Sequence, residues 1–183
     1  KPWRGKLYQG VVRDASKSRN ARDLEALVYE TEADGSRPRA VLSFKLDYYR
    51  GLIPPNIRAN WLPWRPDTDS IAPPRTHDHA YIYPMPMLTD IEFGDNGDMI
   101  LGLRDRIGDM SLYDRNRNLP AGERSGHPFG DILLARPSGE RWEIDGPWPE
   151  FFNEDAGGGM NATGGFHIDT GFGGLARVWG HDQ

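Results

Sequence analysis

The segment Asp90-Ile-Glu-Phe-Gly-Asp-Asn-Gly-Asp-Met-Ile-Leu-Gly-Leu-Arg-Asp-Arg-Ile-Gly-Asp109 narrows the choice of fold more than any other. Asp95-Asn96-Gly97-Asp98 is turn chemistry, because Asn and Gly accept the positive φ of a tight hairpin. Apolar residues flank it at alternate positions: Ile91 and Phe93 before, Met99, Leu101 and Leu103 after. That spacing suits a strand with one buried face; a helix would place its apolar positions further apart. It predicts a β-hairpin whose second strand runs into the charges of Arg104, Asp105, Arg106 and Asp109.

Similar runs recur along the chain. Leu7–Val12 reads as a strand, and 26–31 and 40–46 form a hairpin around Asp34-Gly35. Asp131–Ala135 and Arg141–Ile144 form another around Pro137-Ser138-Gly139, and Leu175–Trp179 is the last strand candidate. Ser16–Glu25 shows no apolar stripe of helical period and reads as a polar loop. Grouped in order, 88–94, 98–105, 130–135 and 141–145 make a four-stranded antiparallel meander, the unit of a β-propeller blade. Residues 7–46 would supply three strands of the preceding blade, and 175–179 the first strand of the next. The expected fold is all-β and one domain over 1–183: a β-propeller or partial propeller of about two blades. Two blades fall short of the four a closed ring needs.

Long connections separate these runs, as 22 Gly and 15 Pro imply. Residues 48–86 contain Pro54-Pro55, Trp61-Leu62-Pro63-Trp64, Pro73-Pro74 and Pro84-Met85-Pro86, which cannot join a central ladder. A loop of that length in a compact domain is usually functional, and its aromatics make it pack down. The stretch 145–171 is a second, Gly-rich connection. Six Trp and seven Phe argue against a disordered chain. A mean hydropathy of −0.68 and the lack of a long apolar run exclude a helical membrane span. Without cysteine there is neither a disulfide nor a thiolate metal site, which suits the cytosol and the bacterial exterior alike. A start at Lys1-Pro2-Trp3 in place of Met reads as a processed or excised product.

Net charge is −5 and uneven: residues 1–60 carry 12 basic and 7 acidic groups, residues 61–183 carry 10 and 20. This asymmetry is either a solvated face or the basis of a head-to-tail contact. Nucleic-acid binding needs a concentrated basic stripe, which the acidic C-terminal part would oppose.

The runs Leu88–Phe93 and Asn96–Asp109 resemble the propeller-like region of large bacterial surface proteins named for the SdrD B-like repeats that follow that region. Gly126–Leu134, Thr170–Ala176, Leu46–Gly51 and the loop around Trp61 and Trp64 fit the same pattern. The match is colinear over most of the chain, and Leu101-Gly-Leu-Arg-Asp-Arg106 is its most specific piece. The resemblance implies secretion, display at a cell surface and no established catalysis. Loop cysteines and a long C-terminal continuation, frequent in those relatives, are missing here, so cell-wall attachment does not carry over.

Several constellations have residue types suited to chemistry or recognition. Arg104, Asp105, Arg106 and Asp109 either clamp the connection that follows or form a recognition patch, with Asp90 and Glu92 on the neighbouring strand facing the arginines. Asp95 and Asp98 are a weak calcium candidate, since the Gly-x5-Glu continuation of an EF-hand is missing. His77, Asp78, His79, His127, His167, Asp169 and His181 contain pairs at metal-ligand spacing, among them a partial facial triad at His167-x-Asp169. No Gly-x-Ser-x-Gly elbow and no P-loop occurs. Asn161-Ala-Thr163 is a formal glycosylation sequon.

The expected function is a non-catalytic binding or assembly module, extracellular or at a bacterial surface, without a cofactor. Its expected partners are other protein chains, the remainder of its own propeller or copies of itself. The expected binding residues are Trp61, Trp64, Arg104, Asp105, Arg106, Asp109 and Trp148, and the loops 48–86 and 145–171 are expected to make the principal contacts. Two alternatives stand beside it. One is a calcium-dependent, lactonase-like propeller hydrolase, to whose blades the Asp90-x-x-Phe-x-x-x-Gly-Asp-Met99 hairpin looks similar. The other is a structural subunit of a filament or surface layer.

Overall fold

The computed structural model describes residues 1–48, 50, 52–53, 57–58, 60–66, 83–110 and 130–145. The strand candidate 175–179, Trp148 and all five histidines lie outside the described residues.

The chain begins with a hairpin too short to show any periodicity. Arg4 (φ 47°) and Gly5 (φ 77°) both take positive φ, the two-residue turn whose twist suits paired strands. It joins β1 (Pro2–Trp3) to β2 (Lys6–Arg13). With β3 (Glu25–Glu32) and β4 (Arg39–Lys45) they form a four-stranded antiparallel sheet in the order β1-β2-β3-β4. The sequence reading counted three of these strands and missed β1. Between β2 and β3, the expected polar loop holds one 3-10 turn, Ala21–Asp23, in which the Asn20 side chain accepts from the Arg22 N–H. None of its residues is buried, which explains the missing apolar stripe. The stretch read as irregular contains a two-residue ladder, β5 (Leu52–Ile53) with β6 (Ile57–Arg58).

The second sheet contains β7 (Pro86–Phe93), β8 (Met99–Asp105), β9 (Asp131–Ser138) and β10 (Arg141–Ile144), again antiparallel and in sequence order. One turn of helix, α1 (Ile107–Met110), follows β8. Segments 88–105 and 130–145 therefore share one sheet, as the meander requires. The β9–β10 turn is Gly139-Glu140, one step beyond the expected one, and Pro137 lies within β9. A proline is tolerated there because the β8–β9 ladder ends at Met99 opposite Ala135, so no donor is needed toward β8. Neither sheet closes on itself among the described residues.

The two sheets stack face to face, β2 against β7 and β4 against β10. All five alternating residues of the β7–β8 hairpin point into this interface: Ile91, Phe93, Met99, Leu101 and Leu103 are buried. Facing them are Tyr8, Ala26, Val28, Val41 and Leu42. A bulge in the β3–β4 register lets consecutive Val41 and Leu42 both reach the interior. Gly10 marks the closest approach, since a Cβ there would lie 2.5 Å from Leu88 Cγ. At one end of the stack the rings of Trp3 and Phe93 lie parallel with centroids 4.1 Å apart, and Tyr8 and Trp142 meet Phe93 edge-on. The Trp142 Nε1–H donates to Gly97 O at 2.9 Å, fixing the β7–β8 turn where Gly97 takes φ 90°. Arg39 crosses between the sheets to Glu140 at 2.7 Å.

The sheets are also alike in detail. In each, the second strand carries a glycine on the face directed away from the first sheet's outer side: Gly10 in β2 and Gly102 in β8. Each strand then leads into Arg-Asp: Arg13 ends β2 with Asp14 just beyond it, three residues after the glycine, and Arg104-Asp105 ends β8, two residues after it. Asp14 Oδ1 accepts from Ser16 N–H at 2.8 Å, and Asp105 Oδ1 accepts from Ile107 N–H at 2.9 Å. Each is followed by one helical hydrogen bond, Arg19 N–H to Ala15 O at 2.9 Å and Met110 N–H to Arg106 O at 3.2 Å. The turns differ at Ala15, which has φ 51°.

Candidate functional site

The strand-to-loop transitions of both sheets meet the Trp-Pro-Trp segment at one end of the stack. Asp105 is buried, and its Oδ1 also accepts the N–H of Met85 at 2.9 Å. One carboxylate thus starts α1 and fixes the entry to β7 by satisfying two buried donors. Arg106 follows, and its backbone N–H donates to Met85 O at 2.8 Å. Its guanidinium turns outward, 4.8 Å from the centre of the Trp64 ring, and donates through Nη1 to Arg65 O at 2.6 Å.

Trp64 is pinned on three sides. Its backbone N–H donates to Asp14 O at 2.9 Å, its Nε1–H to Pro86 O at 2.8 Å, and its carbonyl accepts from Arg19 Nη1 at 2.7 Å. Arg65 donates through Nε to the Tyr83 hydroxyl at 3.0 Å. Trp64, Arg65, Arg106 and Met110 are all half-buried over a small apolar cluster of Tyr83, Met85 and Ile107. The Arg104 guanidinium pairs with the exposed Asp109 carboxylate. The rim therefore presents aromatic and guanidinium groups in fixed positions, with Arg19, Arg65, Arg104 and Arg106 outnumbering Asp109. Fixed planar cations beside rings suit the carboxylates and aromatic side chains of another protein.

Behind the rim lies a buried ion-pair network. Arg50 and Asp131 are 0 % and 2 % exposed, with Arg50 Nε 3.1 Å from Asp131 Oδ2. The Tyr48 hydroxyl donates to the same oxygen at 2.7 Å and accepts from Trp61 Nε1–H at 3.1 Å. Arg50 also donates through Nη2 to Gly130 O at 2.6 Å, with its Cζ 3.5 Å from the centre of the Trp61 ring. Burial, and then the Asp131 charge, hold the Tyr48 phenol well above its ordinary ionisation range, so it remains a neutral donor. The network ties the chain leaving β4 to the start of β9, and so one sheet to the other.

These placements sort the sequence expectations. Trp64, Arg104, Arg106 and Asp109 share the rim. Trp61 is 1 % exposed and Asp105 fully buried: Asp105 fixes the rim from beneath, and Trp61 belongs to the network with Tyr48 and Arg50. Trp148 lies outside the described residues. Asp90 and Glu92 were expected to face the arginines; Glu92 instead pairs with Lys1, and the β7–β8 register sets Met87 opposite Arg104. Asp95 and Asp98 sit at the other end of that hairpin. Asp98 Oδ2 accepts from Asn96 Nδ2 at 2.8 Å and lies 3.6 Å from Arg136 Nη1. Among the described residues no three His, Asp or Glu side chains gather as a metal-ligand set.

Sequence reasoning did not find Arg19, Arg65, Tyr83, Tyr48, Arg50 or Asp131 as members of these clusters. Arg65 follows Trp64 directly, which could have drawn attention to it; nothing local marks Arg19. No protein-family model, curated protein or solved structure matches the chain.

Proposed function

We propose that this chain is a non-catalytic binding or assembly module of a bacterial surface or secreted protein, formed by two consecutive blades of a propeller or partial propeller. The observation that carries the reading is the repetition of one unit. Two four-stranded meanders stack with their strands in the same order, and their second strands lead into matching Arg-Asp turns. Blades of a propeller repeat in this way and present their strand-end loops along one rim. The second sheet supports the reading because apolar residues line both its faces: Ile100 pairs with Leu134, and Gly102 with Ile132, on the side away from the first sheet. A sheet ending in solvent would carry polar residues there. The resemblance of Leu88–Phe93 and Asn96–Asp109 to bacterial surface proteins supplies the extracellular setting.

The rim around Trp64 and Arg106 is the proposed contact surface, and other protein chains are the proposed partners. Pull-down from the producing bacterium's cell envelope, with wild type against Trp64→Ala/Arg106→Ala, tests this. Loss of the captured protein in the double variant, with unchanged circular dichroism, is expected. Capture unaffected by the double variant refutes the rim. Elemental analysis separates the hydrolase alternative, because one tightly held divalent ion per ring would favour a calcium enzyme. Mass measured at low and high salt tests the filament alternative, since assembly driven by the charge asymmetry weakens as salt rises.

A further inference from the structure

Arginine side chains that hydrogen-bond within the described residues fall into two groups. Arg13, Arg39, Arg50, Arg104 and Arg136 each lie against a carboxylate. Arg19, Arg65 and Arg106, which meet at the rim, reach only neutral acceptors. Arg19 gives Nη1 to Trp64 O, and Arg65 gives Nε to the Tyr83 hydroxyl. Arg106 gives Nη1 to Arg65 O, with the Met85 and Met110 sulfurs beside it. A carbonyl, a hydroxyl or a thioether fixes a guanidinium without neutralising it.

Each of the three commits one nitrogen to the fold and keeps a complete two-donor edge. With Nη1 engaged, Arg19 and Arg106 retain Nε with Nη2; with Nε engaged, Arg65 retains both Nη atoms. Among the described residues no acceptor meets these edges. Either edge is a fork that a carboxylate fills with both oxygens. Two of the anchors are the consecutive carbonyls of Trp64 and Arg65, which keeps the Arg19 and Arg106 Nη1 atoms within roughly 10 Å of each other. Arg65 and Arg106 are half-buried, so like charges are gathered where water screens them less. In a chain of net charge −5 this is no shortage of acidic groups.

We propose that Arg19, Arg65 and Arg106 form an anion-recognition triad for carboxylates carried along an extended polypeptide segment. The proposal rests on the reading of the rim as the contact surface and names the chemistry recognised there. Separate forks favour singly charged groups spread along a chain over one compact anion. Side chains on one face of an extended segment follow one another at about 7 Å, which suits that span. The Trp64 ring centre lies 4.8 Å from Arg106 Cζ and the Tyr83 ring centre 5.8 Å from Arg65 Cζ, so rings flank two of the cations. Forks already fixed by the fold lose little side-chain freedom on binding.

NMR titration of the full chain tests it, observing arginine Nε–Hε signals, with acetyl-Glu-Ser-Glu-Ser-Glu-amide as the probe. The peptide is expected to shift Arg19 and Arg106 and leave Arg50 unmoved. Binding should be at least about fivefold weaker in 300 mM than in 30 mM sodium chloride. Arg65→Lys keeps the charge but loses the fork, and should weaken binding at least about threefold. Arg19→Gln changes an exposed side chain, should weaken binding as much, and decides the matter where Arg65→Lys fails to fold. Arg37→Gln, exposed at the opposite end of the first sheet, should leave binding unchanged. Equal binding of a probe with Gln for each Glu overturns the proposal, as does wild-type affinity in Arg19→Gln. Inorganic phosphate that displaces the peptide at equal concentration overturns it in favour of a compact-anion site. Envelope capture that survives while the peptide fails to bind overturns this chemistry alone, whereas capture unaffected by Trp64→Ala/Arg106→Ala removes the rim itself.

Discussion

Gly10 and Leu88 offer the sharpest test of how the two meanders stack. A methyl at position 10 would lie 2.5 Å from Leu88 Cγ and 2.7 Å from Cδ2, closer than carbon atoms approach. Gly10→Ala gains about 0.5–1 kcal/mol by replacing glycine in a strand. It loses about 1–3 kcal/mol by overpacking, so a net destabilisation of about 1–2 kcal/mol is expected. Leu88 is half-buried, so Leu88→Ala should cost about 1–2 kcal/mol, below the range for a fully buried leucine. In the double variant the new methyl occupies space that Leu88 vacates. The total should then fall short of the sum by about 1–2 kcal/mol, the coupling expected of residues in contact. With a urea m-value of about 2 kcal/mol/M, that coupling is a midpoint difference of about 0.5–1 M. Four urea titrations complete the cycle. Additivity within about 0.5 kcal/mol would show that β7 does not lie on β2 at Gly10, and the repeated-unit reading would go with it.

Three further outcomes are expected. Arg50→Leu leaves Asp131 charged and buried with only part of its partners, and should destabilise by about 3–5 kcal/mol in chemical denaturation; an effect below 1 kcal/mol would mean the pair is hydrated. Asp105→Ala strands the buried N–H groups of Met85 and Ile107 and should cost about 2–3 kcal/mol, with the loss visible as faster amide exchange at both positions. Stability should decline toward both extremes of pH. Burial and the Glu30 carboxylate push the Tyr8 phenol up, and burial and Asp131 push Tyr48 up, so their contribution is complete below pH 10.0 and lost as pH rises above it. The Ser43 hydroxyl, with Arg13, holds Glu25 down; for Glu30, burial acts upward but hydrogen bonds from Tyr8 and Arg39 outweigh it. The carboxylate contribution is therefore complete above pH 4.5 and lost as pH falls below it. Thermal melts from pH 3 to 11 should show a plateau between these limits, and Tyr48→Phe should flatten the alkaline limb.

Alternation alone determined most of the sheet assignment. Ile91, Phe93, Met99, Leu101 and Leu103 are buried because a strand with one covered face must place its apolar residues at every second position. Turn residues located the hairpins for a similar local reason, since positive φ at Gly35 and Gly97 is a property of a few neighbouring residues. The rim was only half legible: Trp64, Arg104, Arg106 and Asp109 stood out as aromatic or charged residues in loops. Their partners did not, because Arg19 lies 45 residues from Trp64 and Asp131 lies 81 from Arg50. Which carboxylate is buried beneath a guanidinium, and which of two tryptophans faces outward, depends on how separate strand ends converge, and that is decided by sheet stacking. Local sequence encodes backbone conformation and the face a side chain takes; only the tertiary structure brings distant polar groups close enough to replace the water each gives up on burial.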